Sequence, residues 1–171
     1  MRLTNKPYPS RFKDRQELKA KKGLKVCKSC QAVFYKKSWH HPGPEQSMVQ
    51  DKSHLKPKTY NLKPSLCPAC QMIKNHQFEG EIAITNFSEN YPQELINLIK
   101  NFCQRAYEID PMDRLIGIKK TKDGLIITTT ENQLAVKLAK KIKDVFKKVQ
   151  IKISYSSEPS EVVHIKLIMS S

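Results

Sequence analysis

The chain has 171 residues, is 39% hydrophobic and carries a formal net charge of +15. That length suits one ordinary domain or a small domain with an attachment, and no run approaches the ~20 apolar residues of a membrane-spanning helix. "MRLTNKPYPS" has no apolar segment behind its first charges, so a secreted disulfide scaffold and a membrane protein are both set aside, and a cytoplasmic, reducing location is expected.

The charge is uneven. Residues 1–80 hold 17 Lys+Arg against 5 Asp+Glu, a net +12, whereas residues 81–171 hold 14 against 11, a net +3. A basic half joined to a nearly balanced one points to a polyanionic partner for the first half.

Residues 1–24 read as a basic N-terminal arm, with Arg11, Lys13, Arg15, Lys21 and Lys22 as candidate phosphate contacts. Its apolar face is thin (Phe12, Leu18), so it is expected to gain order from a partner. Residues 25–79 contain one phrase written twice, "VCKSCQ" at 26–31 and "LCPACQ" at 66–71. Two residues between cysteines let both sulfurs turn toward one ion. Two such pairs supply the four thiolates a structural zinc prefers, so Cys27, Cys30, Cys67 and Cys70 are the expected ligands of one Zn2+ in a zinc-ribbon module. Each phrase is then half of one site, with Val26, Val33, Leu66 and Ile73 packing the halves together, and neither phrase is expected to open a helix.

A four-cysteine iron–sulfur cluster shares this spacing. Two redox CxxC pairs are the other rival, and these would need a nucleophilic thiol at a helix start. Four thiolates leave no open coordination position for a catalytic zinc. Between the phrases, residues 38–66 form a long insertion rich in proline, without regular elements expected.

Cations and rings alternate through this region. Lys25, Lys28, Lys36, Lys37, Lys56 and Lys58 are candidate phosphate contacts, and Trp39 is a candidate stacking surface for an unpaired base. The bland alternative for Phe34 and Trp39 is a small core over the zinc site. His40, His41 and His54 read as surface residues.

From residue 80 the pattern becomes that of an ordinary α+β domain, residues 80–171. "GEIAITNF" alternates as a strand, and "YPQELINLIKNFCQRAYEID" carries a helical stripe of Leu95, Leu98, Ile99, Phe102, Ala106 and Ile109. "DRLIGIKKTKDGLIITTT" is a hairpin with Asp123-Gly124 expected as its two-residue turn. A second helix follows, with Thr130 and Gln133 as an expected capping box and Leu134, Leu138, Ile142, Val145 and Phe146 as its buried stripe. "VQIKISY" and "VVHIKLIM" close the chain as strands. The order β-α-β-β-α-β plus an extra strand predicts a ferredoxin-like domain. Cys103 reads as a buried thiol acting as a small hydrophobe. No P-loop, nucleophile elbow or H-E-x-x-H motif is present in the sequence, and a non-enzymatic protein is expected.

Taken together, "VCKSC", "LCPAC", "GEIAI" and "DGLIITTT" before a lysine-rich helix resemble a known arrangement. It is similar to the zinc ribbon and following α+β portion of the large-ribosomal-subunit export adaptors, first named for nonsense-mediated decay, of archaea and eukaryotes. It looks closer still to small bacterial proteins carrying the same two pieces. The resemblance spans roughly residues 25–155. It implies Cys27, Cys30, Cys67 and Cys70 as zinc ligands and association with the large ribosomal subunit, its rRNA and possible ribosomal-protein neighbours. The adaptors have more cysteine pairs and further domains, so it implies ribosome binding rather than export. A DNA-binding zinc-ribbon regulator is the alternative for the basic half, and a thiol oxidoreductase the alternative for the cysteines.

Overall fold

The computed structural model describes residues 25–42, 63–86, 93–156 and 161–169. The expected arm 1–24 and most of the 38–66 insertion lie outside them. The described part is mixed α+β, with three helices and two sheets.

The first sheet is small: β1 (Lys25–Cys27), β2 (Val33–Tyr35), β3 (Ser38–His40) and β4 (Lys63–Ser65), in the order β3-β2-β1-β4. β3 and β4 fall inside the stretch expected to lack regular elements. The pairing of β1 with β4 is parallel, with Cys27 opposite Ser65. That register sets the second cysteine phrase beside the first, despite a sequence separation of 37 from Cys30 to Cys67. α1 (Pro68–Lys74) follows at once.

The second sheet holds β5 (Gly80–Thr85), β6 (Leu115–Thr121), β7 (Gly124–Thr129), β8 (Val149–Tyr155) and β9 (Val163–Met169), in the order β6-β7-β5-β9-β8. α2 (Gln93–Ile109) lies between β5 and β6, and α3 (Asn132–Val145) between β7 and β8. Both helices pack on one face of the sheet and against each other. Alternation places Ile82, Ile84, Leu125, Ile127, Ile165 and Leu167 on that face, where they meet Leu95, Ile99, Leu134, Leu138 and Ile142. Gly80 sits where β5 meets the start of α3. A Cβ there would lie 2.4 Å from Thr129 Oγ1 and 2.5 Å from Ala135 Cβ, so only glycine permits the approach.

The split βαβ part is as expected: β7 lies antiparallel between β5 and β6. The rest departs from a ferredoxin-like order. The strand after the second helix, β8, is at the edge, and the extra strand β9 takes the place beside β5, running parallel to it. Burial accounts for the exchange. β9 offers Val163, Ile165 and Leu167, all buried, and suits the interior. β8 leaves Lys152, Ser154 and Tyr155 exposed, and a lysine on an edge discourages further pairing.

Three local expectations change. The hairpin turn is Lys122-Asp123, one residue early, since Thr121 pairs with Gly124. α3 begins after Glu131 with no side-chain cap, because the Thr130 hydroxyl donates to Met112 O at 2.6 Å and accepts from Arg114 N at 2.9 Å. Ile109 and Val145, assigned to buried stripes, are 87% and 48% exposed at the ends of their helices.

Candidate metal centre

Cys27 ends β1, and the chain turns tightly after it. Gln31 N donates to Cys27 O at 2.9 Å and Cys27 N to Ala32 O at 2.8 Å. Gln31 holds φ 64°, a conformation glycine takes without strain. The result is a tight, knuckle-like turn with Gln31 in the left-handed region. It presents Cys27 and Cys30 on one side.

The second phrase is built differently. Cys67 is the N-cap of α1: its sulfur accepts from Cys70 N at 3.4 Å, and Pro68 stands at the start of the helix. Cys70 projects from the first turn. This corrects the expectation that neither phrase opens a helix: the second one does, and the module is a knuckle-like turn, a β2–β3 hairpin and a helix. Pro68 favours the first helical position, so "LCPAC" carries a helix-start signal that its likeness to "VCKSC" obscured.

The four sulfurs converge. All ligand atoms lie within 4.8 Å of one another, and Cys30 Sγ is 3.6 Å from Cys67 Sγ. A tetrahedral ion with Zn–S arms of ~2.3 Å needs sulfurs about 3.8 Å apart, so the donor set fits a zinc-sized ion. Cys27, Cys67 and Cys70 are buried, Cys30 partly so, and no disulfide joins them. Cys67 N also donates to Cys27 Sγ at 3.3 Å.

These contacts shape the thiol acidities. Burial works to raise Cys27, but the N–H groups of Cys30, Cys67 and Ser29 outweigh it and bring the thiol down to about 6. Burial raises Cys30, and it raises Cys67 well above the usual thiol range, with the neighbouring sulfurs adding to the effect. A redox CxxC at a helix start needs its leading thiol shifted the other way. Four crowded sulfurs of this kind are best compensated by a cation.

A surrounding shell fastens the centre to the α/β region. Met112 is buried against the cysteines together with Ala32 and Ala69. Arg114 Nη1 reaches Cys70 Sγ at 3.9 Å, while its guanidinium lies 4.4 Å from the Tyr107 ring centroid. The His41 ring stands edge-on to Tyr107 at 4.7 Å, and His41 Nε2 hydrogen-bonds the Tyr107 carbonyl oxygen. His41 is thus a docking residue rather than a surface one. Sequence reasoning missed Arg114 and Met112, and it gave Thr130 a different role. The one sequence signal for Met112 and Arg114 is position, since the run "PMDRL" directly follows a helix end.

Trp39 and Phe34 pair across β2–β3 with ring centroids 5.4 Å apart, and Trp39 also packs against the cysteine cluster. Lys25 Nζ sits 5.8 Å from the Phe34 ring centroid. Lys28, Lys36 and Lys37 are exposed near the knuckle and hairpin. Arg11, Lys13, Arg15, Lys21, Lys22, Lys56 and Lys58 lie outside the described residues. No described helix is long and apolar enough to cross a membrane. No protein-family model matches the chain, and no curated protein matches it either.

Proposed function

We propose that this chain is a zinc-binding, RNA-binding protein of the cytoplasm that works on the ribosome, with the rRNA of the large subunit as its partner, and that it performs no covalent chemistry. The observation that carries this reading is a closed four-thiol centre set in the cationic half of the chain. Cys27, Cys30, Cys67 and Cys70 would hold Zn2+, which would fix the knuckle, hairpin and helix as one unit. Four thiolates fill a tetrahedral shell, leaving the metal a structural role. Lys28, Lys36 and Lys37, with the basic arm, would then take phosphates, and the net +12 of residues 1–80 supplies the long-range attraction. The resemblance of the two cysteine phrases and following domain to ribosome-associated adaptors supports the ribosome as the polyanion.

Sedimentation of cell extract through a density gradient tests the reading. The protein should travel with large ribosomal subunits at low salt and leave them as salt rises. A protein that stays at the top of the gradient at every salt concentration contradicts it.

A further inference from the structure

α2 and α3 cover one face of the five-stranded sheet. On the opposite face the register lines up a single row across all five strands: Lys119, Ile126, Ala83, Lys166 and Lys152. The three lysines are exposed, and among the described residues none is paired with a carboxylate. Lys166 and Lys152 stand directly opposite each other on β9 and β8. Neighbouring strands are ~4.8 Å apart, and like charges in that position destabilise a sheet. The one carboxylate on the described strands of this face, Glu81, is occupied by His164 Nδ1 at 3.0 Å. Among the described residues, uncompensated positive charge therefore gathers on this sheet face, with the small Ala83 at the middle of the row.

We propose that this open sheet face is a second RNA-contacting surface, holding the phosphodiester backbone of a strand along the row Lys119–Lys152. The inference rests on the RNA-binding reading above and adds a surface remote in sequence from the zinc module. The row has no aromatic ring, so base stacking is not its mode. Contact is through phosphate, without sequence preference. A protein partner would want large apolar anchors, and the row offers only the half-buried Ile126.

The test uses full-length, zinc-loaded protein and a fluorescent single-stranded RNA of mixed sequence, titrated at several salt concentrations. Three forms are compared with the unaltered chain: K119Q/K152Q/K166Q; its charge-keeping counterpart K119R/K152R/K166R; and K137Q/K140Q/K141Q, which removes the same charge from exposed positions on α3. The glutamine sheet variant should bind roughly tenfold more weakly, with the salt slope reduced by about 2, since each lost single-strand phosphate contact is worth ~0.7. The arginine variant should keep its affinity, and the α3 variant should stay within about twofold. Equal losses from the sheet and α3 glutamine variants, or no loss from the sheet variant, overturn the proposal while leaving RNA binding intact. An unaltered chain that does not bind the RNA overturns both.

Discussion

The two regions hold themselves together by different means. The α/β region buries a contiguous core drawn from five strands and two helices, with Ile82, Ile84, Leu95, Ile99, Leu134, Leu138, Ile165 and Leu167 at its centre. The cysteine region buries Cys27, Ala32, Val33, Cys67, Ala69, Cys70 and Met72, and borrows Met112 from the other region. Three thiols, two alanines, one valine and one methionine make a small core, and hydrophobic burial on this scale is weak support for a module on its own. A bound ion would add to it, because the free energy of metal binding becomes free energy of folding. Sequence economy and charge agree with this division: the cationic half is the one that relies on sulfur.

Substitutions that strike one region and spare the other sharpen the contrast. The largest effect is expected from Gly80→Ala. The added methyl would overlap Thr129 and Ala135, and we expect a loss of about 3 kcal/mol in the α/β region, read by denaturant unfolding, with zinc affinity at the cysteines little changed. Arg114→Met strikes the joint between the regions. Loss of the guanidinium beside Cys70 Sγ should weaken zinc binding about tenfold, measured by competition with a colorimetric chelator, while Arg114→Lys should recover part of it.

Cys103 gives a pH signature belonging to the α/β core. Burial, with a contribution from the Asp113 carboxylate, pushes its thiol up to about 12 from 9.0. A raised thiol pKa means the fold favours the neutral form. Its contribution to stability is complete below pH 9 and drains away as pH rises toward 12. Urea midpoints measured from pH 8 to 11 should fall for the native chain, and fall less for Cys103→Ala. The smallest effect is a gain. Gln31 is exposed and sits at φ 64°, so Gln31→Gly should stabilise the zinc-loaded module by about 0.5 kcal/mol.

What could be read from sequence follows the range of each interaction. The four cysteines were legible because a CxxC turn is local chemistry. The stripes of α2 and α3 were legible because helical periodicity is local too. The shape of the second cysteine half was hidden, since Pro68 and the Cys67 cap announce a helix only if the likeness to the first phrase is set aside. Thr130 shows a second limit: its hydroxyl fits a capping box by spacing, yet the loop from Met112 to Arg114 claims it. The place of β9 beside β5 depends on pairing between residues about eighty positions apart, which no window of sequence contains. Arg114 belongs with these non-local cases, because its reach to Cys70 spans 44 positions.

If one ion held by Cys27, Cys30, Cys67 and Cys70 maintains the fold of the cationic module, hydrogen exchange with and without a strong chelator will report it. One zinc per chain is expected before treatment. After treatment, amides of residues 25–40 and 63–74 should lose protection while those of β5, β7 and β9 keep it. Unchanged protection across residues 25–74 in metal-free protein would contradict it.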